Sequence, residues 1–246
     1  MKKVLGCIRK ACEDFDLIEE GDRIGVGVSG GKDSLLLLYA LALYRKFSKA
    51  HFSLVGLTLT MGLSPMDTSG IRALCDRLEV EYIVRETQIG KVIFEERREK
   101  NPCSLCAKMR RGALNELAKE VGCNKVALGH HYDDAVETFF LSLFYEGRLS
   151  CFHPVTYLDR MDITQIRPLL YVSEAMVREA AQRLQLPVVH NPCPADGATK
   201  RQEVKDLIAG LEGQYPKLKE YTFAAMQRLP LPGWAVEDLR RRPRTE

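Results

Sequence analysis

The stretch "RIGVGVSGGKDSLLLLYALALYRKF", residues 23–47, decides the fold. Its first six residues are a short β-rich run, a pair of glycines follows, and the segment from Asp33 onward has the composition of an apolar helix. The stretch therefore predicts a strand that turns sharply into a buried helix.

The same alternation continues along the chain. Further strands are predicted at 51–60, 81–89 and 125–130, and further helices at 69–80, 107–122 and 133–147. Alternating strands and helices predict an α/β fold, a doubly wound parallel sheet with helices on both faces. Ligands in such folds bind beyond the carboxyl ends of the strands, where the strand order reverses.

The chain divides into three predicted parts. An N-terminal helix occupies residues 1–19, the α/β domain residues 20–195, and a helical segment with a basic tail residues 196–246. After residue 150 the pattern predicts two short strands, a helix over 173–186 and a last short strand, "PVVH", at 187–190.

Composition limits the classes of function. With 46% hydrophobic and 28% charged residues, the 246-residue chain can bury one substantial core. No apolar run predicts a membrane span or a signal peptide. Eight cysteines without a secretion signal predict reduced thiols and a cytoplasmic protein. The net charge of +3 does not by itself establish a nucleic-acid partner, although basic residues cluster near 108–111, near 200–205 and in the tail "LRRRPR".

The glycine-rich turn satisfies two nucleotide motifs only in part. "GVGVSG" at 25–30 has dinucleotide-binding spacing, but its first glycines fall inside the strand and no acidic residue ends the second strand. A Walker A loop is excluded because Val26 and Asp33 stand where Gly and Ser or Thr are required. What remains, "VSGGKDS", predicts an anion site at a helix N-terminus, with backbone N–H groups, Lys32 and two serine hydroxyls as donors. The structural alternative is a tight turn capped by Asp33 or Ser34.

"SGGKDS" resembles the pyrophosphate loop (PP loop) of the N-type ATP pyrophosphatases, and "LGHHYDDAVET" at 128–138 resembles their second active-site segment. The resemblance implies a PP-loop sheet, a substrate ATP and Mg²⁺. It favours Asp134 as the carboxylate facing the nucleotide, while either aspartate could be an N-cap. His130 and His131 are read as packed or catalytic. The nucleotide-binding residues that it implies are Ser29, Gly30, Gly31, Lys32, Asp33, Ser34, Gly129, Asp133 and Asp134.

Three cysteines leave several alternatives open. Cys103 and Cys106 form a C-x-x-C pair in "NPCSLC", and "NPC" recurs at Cys193. A disulfide is disfavoured by the compartment, and a thioredoxin-like pair fits the position poorly. Structural zinc needs four ligands, for which only His190 lies nearby. Three thiolates suit a [4Fe–4S] cluster with one open iron, and this chemistry favours the cluster slightly over zinc.

The order of motifs is more specific. A PP loop, "PCSLC…RRG", "IRPLLYV" and a cysteine before "RQEVKDL" resemble the tRNA 2-thiocytidine synthetases over residues 20–210. The resemblance implies a [4Fe–4S] cluster on Cys103, Cys106 and Cys193, tRNA as substrate, and ATP-dependent replacement of the cytidine C2 oxygen by sulfur. One cysteine stands near 193 where many relatives carry a pair.

The resemblance also implies roles and partners. Lys32, Asp134 and Arg110 would be catalytic, and a cysteine desulfurase or a sulfur-carrier protein would donate sulfur. A homodimer is a further expectation. Arg110 and Arg167 could equally be solvated or structural charges. Candidate contacts to tRNA phosphates are Lys108, Arg111, Lys200, Arg201, Lys205 and the tail arginines 240–242.

Three rival functions are weighed. The 2-thiouridine synthetases resemble the chain in loop and cysteines but usually add zinc ribbons at both ends, and no flanking C-x-x-C pairs occur here. The tRNA-isoleucine lysidine synthetases share the loop and "GHH-DD" patterns but have no cluster cysteines. A non-catalytic nucleotide or metal sensor is disfavoured by the intact Lys32, serines and aspartates.

Overall fold

The computed structural model describes residues 1–97, 102–189 and 199–228. Its centre is a six-stranded sheet in the order β3-β2-β1-β4-β6-β5. The strands are β1 (Arg23–Gly27), β2 (Ser53–Leu59), β3 (Glu81–Arg85), β4 (Lys125–Ala127), β5 (Val155–Leu158) and β6 (Ile163–Ile166). All neighbours are parallel except the β5–β6 hairpin, which forms one edge. The predicted doubly wound α/β class is confirmed.

Helices cover both faces of the sheet. They are α1 (Lys2–Phe15), α2 (Lys32–Tyr44), α3 (Ser69–Arg77), α4 (Ile89–Lys91), α5 (Pro102–Glu120), α6 (Tyr132–Glu146), α7 (Glu174–Arg183), α8 (Lys200–Glu212) and α9 (Leu218–Arg228), and α4 continues into a π-helical turn at Val92–Glu96. The larger core cluster joins α2 to α1, α3 and α6–α9. A smaller cluster packs α5 on the opposite face, through Leu117 and Ala118 against Val55, Leu57 and Val126.

Helix α2 holds the centre of the larger core. Residues 35–38 are leucines with no exposed surface, so the helix is apolar around its circumference, as a fully enclosed helix must be. Burying each of these side chains contributes roughly 1.5–3 kcal/mol. The start of α2, and with it the preceding loop, is therefore held firmly against the sheet.

The strand order reverses between β1 and β4. From β1 the chain builds outward through β2 and β3, then returns to place β4 on the other side of β1. The loops that follow β1 and β4 consequently diverge and leave a crevice at the carboxyl edge of the sheet. This crevice is the position that the strand pattern predicts for a ligand.

Two local predictions need correction. Helix α5 begins at Pro102 rather than at residue 107, so Cys103 and Cys106 lie inside the helix. Proline is favoured at the first helical position because its missing N–H is not needed there. The strand predicted at 187–190 does not form over residues 187–189. Instead Val189 donates its backbone N–H to the Gly30 carbonyl oxygen, 3.0 Å away, and His190 lies outside the described residues.

In the described ranges, none of the helices has both the length and the apolar character needed to cross a lipid bilayer. The division into parts at residues 19/20 and 195/196 stays a prediction.

Candidate active site

The loop at residues 29–34 is a turn held by its own serines. Ser34 Oγ donates to the Gly31 carbonyl oxygen at 2.9 Å and accepts from the Ser29 backbone N–H at 3.1 Å. Gly30 has φ +85°, which side-chain-bearing residues rarely adopt, and a Cβ there would lie 2.9 Å from Met66 Cε. Gly31 then starts α2. The first N–H groups of a helix have no partner within it, and Asp33 and Ser34 of the first turn of α2 line the cavity described below, so this helix start can bind an anion.

Gly129 brings the second motif against this loop. It follows β4 by two residues, and a Cβ at this position would lie 3.2 Å from both Asp33 C and Ser34 N. Only a residue without a side chain lets the two backbones approach so closely. The structure thus brings Gly129 against the loop at 29–34, and their joint role in nucleotide binding stays a prediction.

His131 lies between the carboxylates of the two motifs. Its Nδ1 accepts from the Asp134 backbone N–H at 3.4 Å, and Asp134 Oδ2 accepts from the His131 N–H at 2.9 Å, a capping box that starts α6. Its Nε2 lies 3.6 Å from Asp33 Oδ1 and 3.5 Å from Asp134 Oδ2. The carboxylates of Asp33 and Asp134, one from each motif, thus meet around a single ring nitrogen.

The two aspartates of α6 differ in role. Asp133 is buried and turned away from the crevice: its Oδ2 accepts from the Glu174 N–H at 2.6 Å, at the start of α7, and its Oδ1 lies 3.0 Å from Lys219 Nζ. Asp134 belongs to the capping box, and its Oδ1 accepts from Arg201 at 3.2 Å. Asp33 lines the cavity directly. Asp133 therefore holds α7 and α9, whereas Asp134 joins the capping box to Arg201 and Asp33 faces the cavity.

A chain of ion pairs joins the loop to the later helices. Lys32 Nζ lies 3.2 Å from Asp33 and 3.3 Å from Glu174 Oε1, and Lys205 Nζ lies 2.8 Å from Glu174 Oε2. Burial raises the pKa of Glu174, but the hydrogen bond and charge of Lys205, with Lys32, outweigh it and bring the pKa to about 2. Glu174 is therefore ionised at neutral pH. Burial and the charge of nearby Asp134 raise the pKa of Glu137 to about 7.

A cavity of about 680 Å³ opens between the loop and α5. Its lining includes the apolar side chains of Leu57, Leu59, Leu114 and Leu128 and the cationic side chains of Lys108, Arg110 and Arg111. Arg110, expected to be catalytic, thus faces the same space as residues 29, 33 and 34 of the loop. Lys108 and Arg111 are largely exposed at its rim, as contacts to tRNA would have to be.

The cysteine pair lies beside this cavity. Cys103 is exposed and Cys106 half-buried, one helical turn apart on α5 and next to the cavity residues Ser104 and Ala107. Cys193 lies outside the described residues. Within those residues no three His, Cys, Asp or Glu side chains are grouped so as to hold a metal ion. The assignment of the three cysteines to a cluster stays a prediction.

Comparisons with known proteins identify the family. A model of the PP-loop domain matches residues 5–210. The tRNA-cytidine(32) 2-sulfurtransferase of Geobacter metallireducens is 39% identical over 228 residues, 92% of this chain and 89% of the relative. That of Geobacter sulfurreducens is 37% identical over the same shares. This chain belongs to the PP-loop family of tRNA sulfurtransferases.

One solved structure supports the same assignment. The U34-tRNA thiolase NcsA from Methanococcus maripaludis, with its [4Fe–4S] cluster, is 28% identical and has a TM-score of 0.70, over 88% of this chain and 75% of that chain. The family, the fold and the enzyme class predicted from the sequence are confirmed. The roles of individual residues are not tested by these likenesses and stay predictions.

Several side chains of the sulfurtransferase site could not be singled out from sequence. Phe152 lies in an irregular connection, yet the ring of His130 packs against it at 4.9 Å and the Arg167 guanidinium lies over it at 5.0 Å. The sequence predicts Glu174 only as part of the helix over 173–186 and gives no sign of its ion pairs with Lys32 and Lys205. Arg201 and Lys205 pair with Asp134 and Glu174, and their predicted contacts to tRNA phosphates stay predictions. Such pairings depend on how α7 and α8 pack against α6, which local sequence does not encode.

Proposed function

We propose that this tRNA sulfurtransferase uses ATP to replace the C2 oxygen of cytidine 32 in tRNA with sulfur. One observation carries the proposal: the phosphate loop at 29–34 and the turn of α5 that follows the C-x-x-C pair line the same cavity of about 680 Å³. An activating nucleotide and a sulfur-bearing group can therefore reach one base. The cytidine specificity rests on the relatives that are 37–39% identical.

The lining of the cavity offers ATP both an apolar surface for the base and binding groups for the phosphates. The leucines at 57, 59, 114 and 128 offer an apolar slot for adenine, while the phosphates reach the N–H groups of the loop and the N-terminus of α2. Lys32 adds the positive charge. When the phosphates bind, they take over part of the ion pairing that Lys32 makes with Glu174.

Asp33 and Asp134 are the residues that would hold Mg²⁺. Their carboxylates lie 3.6 Å and 3.5 Å from His131 Nε2, and Mg²⁺ takes one or two carboxylates together with phosphate oxygens. Among the described residues, Asp33 Oδ1 is buried and makes no hydrogen bond, and Lys32 Nζ lies 3.2 Å from it, so a bound cation would share this oxygen with Lys32 or replace it.

The reaction then proceeds in two substitutions. The cytosine O2 attacks the α-phosphorus, the bond to the β-phosphate bridging oxygen breaks, and pyrophosphate leaves. Lys32 and the loop N–H groups stabilise the charge that develops on the leaving group. A sulfur nucleophile next forms a bond to C2, and the C2–O bond breaks to release AMP. Arg110 would stabilise the AMP phosphate from the cavity wall.

The cysteines fit a [4Fe–4S] cluster by their chemistry. Cys103 and Cys106 offer two sulfurs at the helical spacing i, i+3 beside the cavity, and Cys193 would supply the third. When bound, such a cluster supplies a metal-held sulfur nucleophile. Sulfur would come from a cysteine desulfurase or a sulfur-carrier protein. The setting is the cytoplasm, where tRNA and reduced thiols occur together, and a homodimer remains an expectation.

The test is nucleoside mass spectrometry of tRNA from cells that lack the gene. We expect 2-thiocytidine to disappear, to return with the wild-type gene, and to stay absent with Lys32→Met or Cys103→Ser. Unchanged 2-thiocytidine contradicts the proposal. Loss of 2-thiouridine instead would assign the chain to the activity named for the NcsA neighbour.

A further inference from the structure

Three side chains that line the cavity have no role in the reaction described so far. His130, Phe152 and Arg167 line the cavity together with Ser29 and Ser34 of the loop. His130 follows β4 and Arg167 follows β6, so both stand at the carboxyl edge of the sheet. Arg167 is only 5% exposed.

Two nitrogens of this group lack partners. Arg167 Nε and His130 Nδ1 are buried and make no hydrogen bond among the described residues. A buried donor or acceptor without a partner costs about 1–3 kcal/mol, and such atoms mark positions where a ligand completes the bonding. Both side chains pack against the ring of Phe152, so their unpartnered atoms belong to one small pocket.

The bonds that Arg167 does make fix its plane. Among the described residues, its hydrogen bonds run from Nη1, to the His153 carbonyl oxygen and to Thr156 Oγ1. The opposite edge of a guanidinium carries two parallel N–H bonds, one from Nε and one from Nη2, spaced for two adjacent acceptors. Arg167 therefore presents two parallel N–H donors, and its orientation is set by His153, which precedes β5, and by Thr156 of β5.

This donor pattern matches one pyrimidine. The Watson–Crick edge of cytosine offers two adjacent acceptors, O2 and N3, and then the N4 amino donor. Uracil carries N3–H in the middle, which would point at the arginine donors. A neutral imidazole can accept one hydrogen bond, and the burial of His130, with the charge of Arg167, keeps its ring neutral by lowering its pKa to about 4.

We propose that Arg167 and His130 form the pocket that reads the target cytosine, with Arg167 donating to N3 and O2 and His130 accepting from N4. The inference rests on the proposed function, because a base must leave the stack to reach the cavity. The Phe152 ring, which covers the guanidinium, supplies the apolar surface against which the base packs and must turn to admit it. The pocket then holds O2 on the same side of the cavity as the phosphate loop.

The test pairs side-chain changes with single-atom changes in the base. Anticodon stem-loops carry cytidine, 3-deazacytidine, which lacks the N3 acceptor, or pyrimidin-2-one riboside, which lacks the N4 amine. The holoenzyme is assayed for kcat/KM of RNA-dependent AMP release. We expect wild type to lose roughly tenfold or more on 3-deazacytidine, as for a broken bidentate arginine–base contact. In Arg167→Lys, cytidine activity falls and the further loss on 3-deazacytidine shrinks to about twofold or less.

Controls separate recognition from folding. Arg160→Lys, in the exposed turn between β5 and β6 at the opposite edge of the sheet, should keep the wild-type ratio. His130→Phe should abolish the penalty for pyrimidin-2-one but not that for 3-deazacytidine. A merely structural Arg167 would lower both rates equally and leave their ratio unchanged, which would overturn the inference. Equal wild-type rates on cytidine and 3-deazacytidine would overturn it without any variant. A wild type inactive on cytidine would instead contradict the proposed function.

Discussion

Replacing Gly129 with alanine tests whether the two motifs are held together by backbone contact. The new Cβ would lie 3.2 Å from Asp33 C, 3.2 Å from Ser34 N and 3.3 Å from Ser34 Cα, all tighter than ordinary contacts of 3.4–4 Å. These neighbours are backbone atoms at the start of α2, which buried leucines fix, so they cannot swing aside like a flexible side chain. Overpacking of this kind costs about 1–3 kcal/mol.

Thermal unfolding with and without Mg·ATP measures both consequences. At 2–4 °C per kcal/mol for a chain of this size, we expect the melting temperature to fall by roughly 2–12 °C. The stabilisation by Mg·ATP should also shrink, because the displaced Ser34 N–H belongs to the anion site. Gly6→Ala is the matched control. Gly6 lies on α1 with open space around its Cβ position, so this change should stabilise the protein by about 0.5–1 kcal/mol. A Gly129→Ala protein with wild-type melting temperature and nucleotide response would refute the reasoning.

Three further predictions concern charge. Because the folded-state pKa of Glu137, about 7, lies above its ordinary 4.5, its contribution to stability is greatest at low pH and is lost as pH rises to 7. Glu137→Gln should therefore gain in melting temperature over the wild type between pH 5 and 8, and parallel curves would contradict this. Lys125→Met removes the cation 2.8 Å from buried Asp22, which keeps its hydrogen bonds from Asn124 and the Glu19 N–H, and should cost about 3 kcal/mol in urea unfolding. Lys10→Met, at an exposed pair, should cost about 1 kcal/mol or less. Lys32→Met should lower pyrophosphate release about 100-fold, as for loss of an electrostatic donor, and unchanged release would remove Lys32 from the mechanism.

The strand–loop–helix unit was predictable because its signals are local. The β-rich run, the glycine pair and the leucines after Asp33 each specify a conformation within a few residues. The start of α5 was missed although Pro102 carried a usable signal, since proline favours the first helical position.

The different roles of the two neighbouring aspartates could not be predicted from the sequence. Asp133 and Asp134 are adjacent in sequence, yet one holds the start of α7 and the other joins the capping box and Arg201. The choice depends on which helix packs against each side of α6. The pattern "DD" at a helix start does not encode that information. The same holds for Arg167, whose orientation comes from the His153 carbonyl oxygen on an irregular segment.

The ion pairs of the site connect its chemistry to the C-terminal helices. Two cations are held by a carboxylate from another element: Lys32 of α2 by Glu174 of α7, and Arg201 of α8 by Asp134 of α6. The pKa of Glu174, about 2, keeps its carboxylate ionised at neutral pH. Glu174 and the phosphates of ATP would therefore compete for Lys32. Lys205 of α8 shares the same carboxylate. If the phosphates of ATP draw Lys32 away, as the proposed function requires, Glu174 keeps its ion pair with Lys205, and this pair connects the loop to the helix that follows the segment carrying Cys193.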